Sequence, residues 1–154
     1  MVQGKTSYGL HLAVFLEPYL RYILEGKKTV ESRFSGRRIA PYGNVQCDDV
    51  ILLKRSGGPI MGLCQVSNRW YYELDTQSWN EIRTEFSKML CAQDPEFWKQ
   101  RESAEFATLM SLTNVMKIPP IKLSKTDRRA WVVMKPGRKH AHEDDLNLFC
   151  RKNS

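Results

Sequence analysis

The residues best suited to chemistry are Lys28, Glu31 and Arg33, in the segment 26–33 that reads Gly-Lys-Lys-Thr-Val-Glu-Ser-Arg. A lysine acts as a base when its surroundings lower its pKa, and an arginine can bind a carboxylate or phosphate through two hydrogen bonds. A neighbouring carboxylate raises the pKa of a lysine, so Glu31 favours a charged, hydrogen-bonding Lys28. The segment therefore predicts a site that holds a small polar ligand, with catalysis and a structural ion pair as the alternatives.

A helix-to-strand junction positions these charges. Apolar residues recur at helical spacing between residues 18 and 24, Pro18 suits a first helical turn, and Gly26 is a natural terminator. From residue 28 to 34 the period of the pattern becomes two, which predicts a strand. One face of this strand carries Thr29, Glu31 and Arg33.

The remaining pattern predicts an α+β chain. Strands are predicted at 10–16, 50–54, 60–66, 106–118 and 130–134, with helices at 78–90 and 94–101. We expect Ser78 and Glu81 to form a capping box, and Pro119-Pro120 to end the long strand. The buried stripe of the first of these two helices is expected to be Trp79, Ile82, Phe86, Met89 and Leu90. The order of elements favours a small, mostly antiparallel β-barrel flanked by helices.

Composition limits the class of protein. The chain has 154 residues, of which 42% are hydrophobic and 27% charged, as expected for a globular domain. No apolar run is long enough to span a bilayer, and the N-terminal residues lack the pattern of a signal peptide. The four cysteines are widely spaced, without metal-ligand spacing. We therefore expect a reduced, intracellular protein, cytoplasmic or nuclear, with no metal, no cofactor and no membrane association.

Basic charge is concentrated in one region. The formal net charge is +7, and residues 21–55 hold eight Lys and Arg against four Asp and Glu. Such an excess favours phosphate-bearing partners, although a solvated basic surface has the same composition. The aromatic run Trp70-Tyr71-Tyr72 after the 60–66 strand offers rings that stack bases, with barrel capping as the alternative.

The signature Gly26-x-Lys28-x-x-Glu31-x-Arg33 resembles that of ASCH domains in the PUA-like superfamily. Further similarities lie at Pro18-Tyr19, the strand entry 48–51, Gly62 and the closing segment 129–132. The resemblance spans about residues 8–134, which implies one PUA-like domain over 8–134 with flexible termini at 1–7 and 135–154. It also implies a cleft, lined by the signature, that binds RNA or a nucleoside-like ligand.

These arguments define a set of candidate ligand-binding residues. The set comprises Lys27, Lys28, Thr29, Glu31, Arg33, Arg37, Arg38, Trp70 and Tyr72. Within it, Lys27, Arg37 and Arg38 are expected to be outer phosphate contacts. The expected partner is RNA, a nucleoside or a nucleotide, bound by a monomer, and single-stranded or modified RNA is favoured because its bases are accessible.

Two other functions remain open. Some small proteins that resemble this chain are amidohydrolases that deacylate N4-acylcytidine with a lysine, a threonine and a glutamate. By resemblance that lysine falls on Lys28, but the threonine falls on Glu31, and the glutamate would have to come from Glu81 or Glu85. In that case Lys28 and Glu31 would be catalytic. The other function is a protein-interaction module of a regulatory complex.

Overall fold

Six strands form one curled, mixed sheet in the computed structural model, which describes residues 7–124 and 127–137. The strands are β1 (Leu10–Phe15), β2 (Val30–Ser35), β3 (Val50–Arg55), β4 (Ile60–Glu73), β5 (Phe106–Ile121) and β6 (Trp131–Lys135). The helices are α1 (Tyr19–Leu24), α2 (Thr76–Phe86) and α3 (Pro95–Lys99). The strand order is β2-β5-β4-β3-β1-β6, with β1 and β3 parallel and the other neighbours antiparallel. The predicted α+β fold with a mostly antiparallel sheet is confirmed.

The two edge strands, β2 and β6, approach each other because the sheet curls. Arg33 on β2 donates hydrogen bonds to the carbonyl oxygen of Val14 on β1 at 2.9 Å and to that of Ala130 at 3.3 Å. The N–H of Val14 donates to the same Ala130 oxygen at 2.9 Å. Among the described residues no strand pairing joins β2 to β6, so the sheet is a half-barrel whose gap is bridged by the Arg33 side chain.

Two apolar clusters pack against this sheet. One joins α1 to β1, β3, β4 and Trp131, and the other joins α2 and α3 to β2 and β5. On β2, Val30 and Phe34 pack into the second cluster. Glu31 and Arg33 contact each other at 3.1 Å and face away from that cluster. The predicted period of two is thus confirmed, although β2 begins at Val30 and not at residue 28.

Helix α2 begins earlier than its sequence pattern indicated. Asp75 is the N-cap residue, and its carboxylate accepts a hydrogen bond from the N–H of Ser78 at 2.8 Å. The hydroxyl of Ser78 accepts one from the N–H of Asp75 at 2.8 Å. The predicted capping box of Ser78 with Glu81 is therefore wrong, because Ser78 is the downstream member of the pair. Met89, predicted to be buried, lies beyond the helix and is 38% exposed.

The long strand β5 also differs from prediction, because it continues through Pro119-Pro120 to Ile121. Its register with β4 shifts between Ile60 and Gly62, whose partners are Ile121 and Lys117. The prolines fall within that irregularity, where a missing N–H removes no regular ladder bond.

The cysteines are not all reduced. Cys64 and Cys91 are free, whereas Cys47 is disulfide-bonded, which disagrees with the expectation of unpaired thiols. Within residues 7–124 and 127–137 no helix is long and apolar enough to cross a membrane. Most of the predicted flexible termini, residues 1–6 and 138–154, lies outside the described residues.

A buried polar network joins β1, β3 and β6. The Asp49 carboxylate accepts hydrogen bonds from the N–H groups of Gly9 at 2.8 Å and Gln46 at 3.0 Å, and it contacts Nε2 of His11 at 2.8 Å. The indole N–H of Trp131 donates to Nδ1 of His11 at 3.1 Å. Because Nδ1 is the acceptor, the ring hydrogen is on Nε2 and points at Asp49. His11 is therefore a structural residue, buried and held through both ring nitrogens.

Asp49→Asn should destabilise the fold by about 3 kcal/mol, because an amide cannot accept every hydrogen bond that the carboxylate accepts. If the amide N–H₂ faces His11, the ring must move its hydrogen to Nδ1, where it meets the Trp131 N–H. Urea unfolding measures the loss. Asp48→Asn is the matched control and should change the free energy of unfolding by less than about 0.5 kcal/mol. Equal effects of the two substitutions would contradict the network.

Candidate ligand-binding cavity

A cavity of about 770 Å³ opens between β2, the end of β1 and the segment 127–130. We call it the basic cavity, because six of its lining residues are basic and two are acidic. The basic residues are Lys28, Arg33, Lys54, Arg101, Arg128 and Arg129, and the acidic ones are Glu31 and Asp127. Its volume lies within the usual range of small-molecule sites, and its excess positive charge favours an anionic ligand.

Lys28 lies at the buried side of the basic cavity and is 2% exposed. Gly26 has a positive φ of 80°, which turns the chain after α1 and directs the N–H of Lys28 to the Tyr22 carbonyl. The ammonium group donates to the Leu90 carbonyl at 2.9 Å and lies 3.5 Å from a Glu31 oxygen. Burial lowers the pKa of Lys28 and outweighs the opposing attraction of Glu31. Lys28 forms the hydrogen bond and the ion pair that the sequence favoured, although burial has a larger effect on its pKa than Glu31 has.

Glu31 is 6% exposed and links the two cations. One oxygen accepts a hydrogen bond from the Ser32 N–H at 2.8 Å, and the other accepts one from Arg33 at 3.1 Å. Burial by itself raises the pKa of Glu31, but the charges of Lys28 and Arg33 together with these hydrogen bonds hold it below its ordinary value. Glu31 is therefore an ionised acceptor at neutral pH.

Arg33 completes the cluster and also forms part of the wall of the cavity. Its guanidinium lies 4.8 Å from the centre of the Phe15 ring and 5.2 Å from that of the Trp131 ring. With hydrogen bonds to Val14, Ala130 and Glu31, the group is held in one orientation. The structure thus brings Lys28, Glu31 and Arg33 together, as the sequence predicted.

Three further cations line the cavity that the sequence did not single out. Lys54 is buried at the end of β3 and donates to the Arg55 carbonyl at 3.2 Å. Arg101 follows α3 and lies 3.7 Å from the centre of the Phe97 ring, and burial lowers its pKa. Arg128 is exposed in the segment before β6. Lys54 directly follows the apolar run of β3, and a charge at that place was its one local signal. No local pattern marks Arg101 or Arg128.

Other predicted ligand contacts lie elsewhere on the molecule. Lys27 is exposed and lies 3.5 Å from a Glu25 oxygen, and the backbone of Thr29 pairs with residues 89 and 112. Arg37 is exposed, and Arg38 forms an ion pair with Glu73. None of the four predicted residues lines the basic cavity.

The predicted stacking aromatics are partly buried and pack against the second apolar cluster. Trp70 packs against Phe86 of α2 with ring centres 5.0 Å apart, and Tyr72 belongs to the same apolar cluster. Burial, followed by the charges of Glu81 and Glu85, raises the pKa of Tyr72 to about 12. The four residues Trp70, Tyr72, Glu81 and Glu85 lie on the α2 side of the sheet and do not line the basic cavity. A glutamate of α2 therefore does not join Lys28 in one site.

Solved structures of ASCH proteins share this fold. An ASCH crystal structure from Zymomonas mobilis has a TM-score of 0.66 and 17% identity, covering 82% of this chain and 87% of the other. A mutant of the same protein gives a TM-score of 0.67 and 16% identity, covering 97% and 99%. No protein-family model and no curated protein matches the sequence. The chain therefore has the α+β fold of ASCH domains, as the resemblance implied.

Glu31→Gln should lower the free energy of unfolding at neutral pH by about 3 kcal/mol, because it leaves the buried Lys28 and the partly buried Arg33 without their counter-charge. The pKa of Glu31 lies below its ordinary value of 4.5. Its carboxylate therefore stabilises the fold above that value, and the contribution is lost as the pH falls through the lowered pKa. Urea unfolding at a series of pH values should show the difference from wild type shrinking in acid. Glu25, which belongs to an exposed ion pair, provides the control variant Glu25→Gln. A difference in the free energy of unfolding between Glu31→Gln and wild type that does not change with pH would contradict the assignment.

Proposed function

We propose that this protein is an ASCH domain protein that binds RNA or a nucleotide in the basic cavity. The observation that carries the proposal is the buried cluster of Lys28, Glu31 and Arg33 at one side of a cavity with a strong excess of cations. Two cations and one carboxylate leave the cluster with a net positive charge. A phosphate-bearing ligand would neutralise this positive charge at the place where water screens it least.

The cavity offers separate groups for the two parts of a nucleotide. Lys54, Arg101 and Arg128 supply positive charge toward a phosphate. The ionised Glu31 accepts hydrogen bonds, and a carboxylate has more acceptor sites than its present partners occupy. An amino group on the edge of a base is the matching donor. Single-stranded RNA exposes such edges, whereas A-form duplexes hide them in a deep groove.

Arg128→Ala should weaken binding of an unstructured RNA oligonucleotide and flatten its salt dependence. Each phosphate contact contributes about 0.7 to the slope of log affinity against log salt concentration for single strands. We expect the slope to fall by about that amount. Fluorescence anisotropy over a range of salt concentrations measures it.

The control for this experiment is Lys88→Ala, which removes an exposed charge that does not line the basic cavity. It should leave the slope unchanged. Binding that does not respond to salt in the wild-type protein would overturn a phosphate-led mode.

Deacylation of an acylated nucleoside is the second candidate function, and the lowered pKa of Lys28 favours it. A lysine with a lowered pKa is neutral in a larger fraction of molecules and can take a proton from an attacking water. The water oxygen would then bond to the amide carbon, and the lysine would return the proton to the departing amino nitrogen. The residue in the place of the family's threonine is Glu31, which weighs against this function.

N4-acetylcytidine is the substrate that tests the second function. If it holds, the wild-type protein and Lys27→Ala release cytidine, while Lys28→Ala does not, because only Lys28 of these neighbours lines the cavity. The rate should rise with pH and level off below the ordinary lysine pKa of 10.5. Chromatography of the products measures the release, and its absence from the wild-type reaction would exclude this reaction.

A further inference from the structure

A second, smaller cavity of about 400 Å³ lies next to the basic cavity. We call it the aromatic cavity, because rings and aliphatic groups form most of its wall. These lining residues are Ile39, Ala40, Pro41, Tyr42, Phe106 and Trp131. None of them lines the basic cavity, and they come from the loop after β2, the start of β5 and the start of β6.

The two cavities share a wall. Arg33, Phe34, Arg129 and Ala130 line both of them. Along β2 the basic cavity is lined from Glu31 to Phe34, and the aromatic cavity from Arg33 to Ser35. The cavities are therefore consecutive openings along the gap between the edge strands, with Arg33 at their boundary.

The chemistry of the aromatic cavity differs from that of the basic one. Its rings are accompanied by guanidinium groups, since Arg38 lies 5.2 Å from the centre of the Phe106 ring and Arg33 lies 5.2 Å from that of Trp131. A flat apolar group with a negative charge at its edge fits such surroundings. A nucleobase joined to a phosphate has this form, and base binding beside basic residues is the usual means of holding single strands.

We propose that the aromatic cavity takes the base of a neighbouring nucleotide, so that the ligand is a single-stranded oligonucleotide of two or more residues. The proposal rests on the proposed function, because the basic cavity must hold the first nucleotide. The phosphate between the two nucleotides lies beside Arg33 and Arg129, which line both cavities. A free nucleotide fills the first cavity and leaves the second empty.

Calorimetric titration of the full chain with short ribonucleotides tests this. The probes are the four nucleoside 5′-monophosphates, the dinucleotides, and dinucleotides in which one or the other residue lacks its base. The best dinucleotide should bind about tenfold or more tightly than the best mononucleotide. The abasic probes keep the phosphates but should lose most of this gain, which separates base binding from added charge.

A matched pair of variants locates the second base. Ile39 lines the aromatic cavity and is 55% exposed, while Met116 lines neither cavity and is 56% exposed. Ile39→Ser should weaken dinucleotide binding about fivefold through lost apolar contact and leave mononucleotide binding unchanged. Met116→Ser should change neither. Thermal unfolding of both variants checks that the fold is retained.

The outcomes separate this inference from the function on which it rests. Mononucleotide binding without any gain from a second nucleotide, or an equal gain from the abasic probes, overturns the inference and leaves the function standing. A loss of mononucleotide binding in Ile39→Ser also overturns it, because the two cavities would then not act separately. If neither mononucleotides nor dinucleotides bind, the proposed function fails, and the inference fails with it.

Discussion

The geometry of both cavities depends on the bridge that Arg33 forms between the two edges of the sheet. Its guanidinium binds carbonyl oxygens of Val14 and Ala130 and the carboxylate of Glu31. The planar guanidinium spreads five donors over three nitrogens, so it reaches acceptors that lie further apart than the single nitrogen of a lysine can reach. The described strands leave β2 and β6 unpaired with each other, and the Arg33 side chain bridges the gap between them.

The bridge also explains how the positive charges of Lys28 and Arg33 are accommodated close to each other. Glu31 lies between Lys28 and Arg33, and backbone carbonyls accept the hydrogen bonds that the carboxylate does not. This arrangement lowers the pKa of the acid through charge and lowers that of the lysine through burial. The residues that line this side of the basic cavity therefore also hold neighbouring elements in place.

The short-range sequence pattern predicted those site residues that lie close together in the chain. A period of two placed Glu31 and Arg33 on one strand face, as observed, although the predicted strand began at residue 28 and β2 begins at Val30. The basic residues Lys54, Arg101 and Arg128 reach the cavity through the parallel pairing of β1 with β3, the position of α3 and the return of the chain before β6. Those are long-range arrangements, which no short window of sequence contains. Lys27 and Thr29 lie within the signature, yet they do not line the cavity.

The unclosed barrel has a consequence for the addition of further strands to the sheet. Edge strands with unpaired backbone groups are templates for strands of other molecules, and many proteins block them with charges, prolines or bulges. Here the two edges face each other, and the Arg33 side chain crosses the space between them. An incoming flat strand of a second chain would have to displace a guanidinium held by three hydrogen bonds. The Arg33 side chain thus obstructs extension of the sheet across this gap.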